Sequence, residues 1–166
     1  MALKNALKKW LMKHRKLVIL GIGNPMKGDD ALGIEILKLL KNKMPKNVKL
    51  IECQITPENF TGKIRRFKPS HVLIIDATQF GAKVGEAKLF LPNRISCSAL
   101  STHTMPLSLL AEIIQKSIGA RVMLLGIQPK NVNFGEKISP EIQKAIKETA
   151  KIIVEVLKEN SLQFVH

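Results

Sequence analysis

The apolar and polar positions of this chain alternate between two periods. Residues 17–23, LVILGIG, form a short apolar run closed by glycine, as expected of a strand buried on both faces. Residues 31–41 take a helical period, with Leu32, Ile36 and Leu39/Leu40 on one stripe. Further strand-like runs occur at 48–53, 72–76, 87–91 and 121–127, and helices are predicted over 57–67, 106–117 and 140–157. Thr56 and Ser139 each stand directly before a proline, the order expected of a helix N-cap and its first helical residue. The run at 87–91 follows 72–76 too closely for a helical crossover and predicts an antiparallel edge strand. A loop rich in Ser, Asn and Thr covers 92–104.

Strands that alternate with helices predict an α/β fold: a mostly parallel five-stranded sheet with helices on both faces. Right-handed crossovers allow strand 1 in the middle, with strands 2 and 3 on either side. The reversal beside strand 1 opens a crevice at the strand carboxyl ends, where open α/β sheets bind ligands. Ahead of this single domain, assigned to 17–166, residues 1–16 contain no acid. Leu3, Ala6, Leu7, Trp10 and Leu11 fall on one helical face there, predicting a basic amphipathic N-terminal helix or arm. Packing on the domain, docking to a partner and lying on an anionic membrane surface are all open to it.

Composition narrows the function classes. The 166 residues are 45% hydrophobic, which excludes disorder, and no apolar run approaches the ~20 residues of a membrane span. A net charge of +14 favours an anionic partner, although Lys-rich chains are also common in heat-adapted organisms. Tyr is absent and Trp occurs once, so no stacking platform for nucleic acid is evident and no specific nucleic-acid partner is expected. Two cysteines, Cys53 and Cys97, make no disulfide framework, and Lys8, Lys9 and Lys13 interrupt any secretory leader; a cytoplasmic protein is expected.

Aspartate is rationed. The chain has three: Asp29 and Asp30 follow the first predicted strand, and Asp76 closes the third, all at the carboxyl edge. The loop GIGNPMKGDD has the glycine spacing of a phosphate loop, but two carboxylates stand where a lysine and a hydroxyl belong. The sign is inverted, so the loop suits a cation. Asp29, just before a helix, also fits an N-cap, and Asp76 fits a turn cap. Of four histidines, His103 precedes a helix near the same edge, whereas His71 precedes a strand, at its far end. Two carboxylates and one imidazole suit a divalent transition metal with open positions. Cys97 and Ser98 lie near His103, without a motif that marks a nucleophile, and no HExxH is present.

Several segments together carry a resemblance. GIGNPMKGDDALG, TPEN at 56–59, IIDAT at 74–78, THTMPL at 102–107 and LGIQP at 125–129 follow one another in order across the domain. The chain resembles the [NiFe]-hydrogenase maturation endopeptidases, most closely the hydrogenase 3 (formate-hydrogenlyase-type) branch. The resemblance implies a twisted five-stranded sheet between helices, and Asp30, Asp76 and His103 as the metal-binding and catalytic residues. It also implies an aspartyl-type endopeptidase that removes the C-terminal extension of a hydrogenase large-subunit precursor after nickel insertion. The metal would be the substrate's own nickel, with no organic cofactor. A monomer is expected, and residues 1–16 are a candidate peripheral contact with a membrane-bound hydrogenase. The competing readings are a related α/β metallohydrolase acting on another peptide or amide, a non-enzymatic nickel or assembly chaperone, and a basic RNA-binding domain.

Overall fold

The computed structural model describes residues 2–94 and 105–163. Five strands form one sheet: β1 (Leu17–Ile22), β2 (Val48–Gln54), β3 (His71–Ala77), β4 (Ala87–Phe90) and β5 (Arg121–Ile127). Their order is β2-β1-β3-β5-β4, with β4 alone antiparallel. Strand 1 therefore has strands 2 and 3 on either side, as the crossover argument predicts. β1 and β3 bury nearly every residue, because neither lies at a sheet edge and helices cover both faces.

The pleat divides the core in two. Leu17, Ile19, Leu73, Ile75, Leu125 and Ile127 point to one face, against α1 (Ala2–Trp10), α2 (Leu32–Leu40) and α5 (Pro140–Gln163). Val18, Leu20, Val72, Ile74, Val122 and Leu124 point to the other, where α4 (Leu107–Ile118) packs with Leu110, Ala111 and Ile114, and α3 (Thr61–Phe67) with Ile64.

Several element boundaries differ from the sequence reading, each for a physical reason. The stretch 57–67 begins as a 3-10 turn, Pro57–Phe60, and only then becomes α3; Thr56 makes no side-chain cap. A second 3-10 turn, Gly28–Ala31, precedes α2. The closing helix runs past Leu157 to Gln163. Its last turns carry little apolar sequence but are held by α1: Lys4 pairs with Glu155 and Glu159, and Lys8 with Glu159, at 2.9–3.2 Å. Leu7 and Leu11 are fully buried in the same core as Ile153 and Leu157. The apolar stripe of residues 1–16 is thus spent on the fold. No described helix is long and apolar enough to cross a membrane.

Candidate active site at the sheet's carboxyl edge

The loop after β1 turns back on itself. Gly23 takes φ of 142°, and its N–H donates to the Gln54 carbonyl at the end of β2, 2.8 Å away. A Cβ at Gly23 would collide with the Asp30 carbonyl, so glycine is required for the loop to close. The closure lets the Asn24 N–H donate to Asp30 Oδ2 at 2.8 Å. Asp30 is 6% exposed in the short turn that leads into α2.

The start of α2 sits directly over the seam between β1 and β3. A Cβ on Gly33 would lie 2.5 Å from the Ile75 carbonyl and 2.6 Å from that of Ile22. This close approach brings the Asp30 turn against the end of β3, where Asp76 follows Ile75 and is 4% exposed. Two nearly buried carboxylates therefore flank the point where the strand order reverses. Glu58, half-buried in the turn after β2, adds a further carboxylate along this edge. It was not singled out from spacing, although it belongs to the TPEN segment.

α4 ends at Ile118, shortly before β5 begins at Arg121, so its start points toward the carboxyl edge. His103 precedes that start and, with Cys97 and Ser98, lies outside the described residues. Among the described residues no group of three His, Cys, Asp or Glu side chains is placed to hold a metal ion. The described ligand candidates are Asp30 and Asp76. His71 begins β3 at the opposite edge, as its position before the strand predicts.

Asp29 has a different task. Its carboxylate is fully buried and caps no helix of its own. It accepts the N–H groups of Lys130, Asn131 and Ser139 and the Ser139 hydroxyl, at 2.7–2.9 Å. Ser139 consequently gives its hydroxyl to Asp29, while its carbonyl receives the first N–H groups of α5. Asp29 straps the 130–139 loop to the loop that carries Asp30, and the Gly135 N–H adds a bond to the Met26 carbonyl. Met26 and Phe134 are each 68% exposed on the joined loops, and the Lys27 ammonium lies 5.3 Å from the centre of the Phe134 ring.

Gln128 does similar work beyond Asp76. It is 6% exposed; its Oε1 accepts the N–H groups of Phe80 and Ala82, and its Nε2 donates to Gln79 Oε1. The loop leaving β3 is thereby fixed from β5. The sequence signal for this residue was the LGIQP segment alone, which names no role. Cys53 is buried, and burial pushes its thiol up to about 12, so it stays protonated and unreactive at neutral pH.

Comparisons with known proteins bear on the family and the fold. The hydrogenase maturation protease family matches over residues 34–156. A putative hydrogenase maturation protease of Methanocaldococcus jannaschii is 38% identical over 160 residues, covering 92% of this chain and 94% of that one. The hydrogenase 3 maturation protease of Escherichia coli K12 is 35% identical over 130 residues, covering 78% and 83%. The crystal structure of a [NiFe] hydrogenase maturation protease from Thermococcus kodakarensis superposes with a TM-score of 0.86 at 34% identity, covering 92% of this chain and 99% of that one. With similarity running through nearly the whole fold, the chain belongs to the hydrogenase maturation protease family and is a [NiFe]-hydrogenase maturation endopeptidase.

Proposed function

We propose that this endopeptidase removes a C-terminal extension from the large-subunit precursor of a [NiFe] hydrogenase, and does so only after nickel has been inserted. The observation that carries the reading is the pair of buried carboxylates, Asp30 and Asp76, on either side of the β1/β3 seam. Acids kept this far from water suit a cation brought by the substrate. His103 is assigned as the third ligand from its THTMPL segment. The nickel belongs to the precursor, so an unloaded precursor offers these three residues nothing to hold and is left uncut.

In this reading the loaded precursor docks with its metal at the carboxyl edge, which fixes the adjoining tail over the cleft. Water adds to the scissile carbonyl carbon, its proton passes to a carboxylate or to His103, and the protonated amine of the tail leaves. The reaction is of aspartyl type and needs no organic cofactor. Met26 and Phe134 provide the apolar wall against which the tail lies. The enzyme acts as a monomer in the cytoplasm. Contact with a membrane-bound hydrogenase would use the charge of Lys9 and Lys13, which are exposed, because the apolar face of α1 is committed to the core.

The test is mass spectrometry of a cognate precursor, with and without nickel, after incubation with the enzyme. Shortening of the loaded form alone is expected. Equal cleavage of both forms would reject the role of nickel, and binding without cleavage would return the protein to the chaperone class.

A further inference from the structure

The opposite, amino edge of the sheet gathers positive charge in a cavity of about 620 Å³. Lys13 and Arg15 enter it from the segment between α1 and β1, Arg65 and Lys68 from the end of α3, and Arg121 from the start of β5. No carboxylate lines it.

Some cations elsewhere are paired with acids. Lys4, Lys8, Lys38, Lys116 and Lys130 each lie within 3.2 Å of a glutamate. Among the described residues none of the five cavity cations has such a pair. Helix ends offer a plain explanation, since α3 and α4 both finish here and their free carbonyls attract cations. Each helix end is worth about half a negative charge, so two offset about one of the five. The five are exposed, so salt screens much of the repulsion among the remainder, but their convergence on one concavity leaves a positive potential that an anion would neutralise. Lys68 is also held at φ 54° and ψ 56°, the left-handed conformation that favours glycine or asparagine after a helix. Lysine stands here where glycine would be the low-cost choice, and it lines the cavity.

We propose that this cavity binds the phosphoric anhydride chain of a compact polyanion, through Arg15, Arg65, Lys68 and Arg121. Guanidinium forks match phosphate oxygens in bidentate fashion, and the concave shape favours a compact ligand over an extended surface. Among the described residues no Phe, Tyr or Trp lines the cavity, so the phosphates rather than a stacked base are the group it is built to read. A seven-residue strand spans about 20 Å, so this ligand touches neither Asp30 nor Asp76. The site is independent of the cleavage reading.

Trp10 is the single tryptophan and packs 5.0 Å from the His71 ring, which lines the cavity, so its fluorescence reports on the site. The full chain is titrated at fixed ionic strength with inorganic triphosphate, ATP and hexaglutamate, with calorimetry on the same series against a silent fluorophore. Saturable binding of triphosphate is expected, with hexaglutamate weaker. Equal affinity for ATP identifies the bare phosphate chain as the ligand; much tighter ATP binding identifies a nucleotide as its source. The double variant Arg65→Ala/Arg121→Ala should lose about tenfold or more in affinity per guanidinium. Lys147→Ala/Lys151→Ala removes the same charge from exposed positions of α5 and should change it by less than about twofold. Circular dichroism and urea unfolding check that both variants fold. Absent or non-saturable binding by calorimetry, equal losses in the two variants, or tighter hexaglutamate than triphosphate would each overturn the proposal, the last in favour of an acidic protein segment.

Discussion

At the residue scale, Asp29 and Asp30 are neighbours whose carboxylates meet different donors. Asp29 is saturated by donors from residues 130, 131 and 139, whereas Asp30 turns toward Asn24 and the cleft. Replacing Asp29 with Ala would strand three N–H groups, one buried and two part-buried, at a cost on the order of 3 kcal/mol, above that of a lost helix cap. Urea unfolding of Asp29→Ala should show that loss; a change below about 1 kcal/mol would reduce Asp29 to the cap it resembles in the sequence. Nothing local in the sequence announces this task, because its partners lie 101 to 110 residues away. His71 makes a second prediction. Burial, then the positive charges of His14 and Arg121, lower its imidazole from 6.5 to about 4. The unfolded chain therefore binds the proton first. The contribution of His71 is fully present above pH 6.5 and is lost as pH drops from there to about 4, on the order of 3 kcal/mol. His71→Gln should flatten that part of the stability–pH curve, and an unchanged curve would assign the acid sensitivity to another group.

Among the elements, the five strands were legible because buried runs bounded by Gly, Pro and polar turns leave little choice of period. Arg121–Ile127 matches the predicted run residue for residue, and β4 pairs antiparallel as the short connection requires. The helices were legible in position but less so in their ends. α5 continues past its apolar stripe because Lys4 and Lys8 pair with its glutamates, a tertiary cause that periodicity does not carry. The N-terminal helix was legible as amphipathic, but its sequence fits packing, docking and membrane contact equally well. The buried Leu7 and Leu11 decide for packing. Leu7→Ala should therefore cost about 2–5 kcal/mol in urea unfolding. Loss of less than about 1 kcal/mol would mean that the helix is an appendage.

On the scale of the whole molecule, the two edges of the sheet have opposite character. The carboxyl edge holds Asp30, Asp76 and Glu58, while the amino edge holds the cavity cations. The acidic edge was readable from three aspartates, each placed at or just after the end of a strand. The basic cavity was not, because its residues come from segments separated in sequence and are joined only by the fold. The exposed Met26 and Phe134 beside the acidic edge allow a kinetic test. If the tail lies against these two side chains as proposed, Met26→Ser/Phe134→Ser should raise KM for the precursor several-fold with little change in kcat. A fall in kcat at unchanged KM would contradict that role. The central claim is that Asp30, Asp76 and His103 act together on a nickel-loaded precursor. Its most direct test is the cleavage rate of that precursor, followed by mass spectrometry, for Asp30→Asn, Asp76→Asn and His103→Ala enzymes shown to be folded. Each variant is expected to lose about 10²–10⁴-fold in rate. Cleavage at the wild-type rate by the three folded variants would contradict the account.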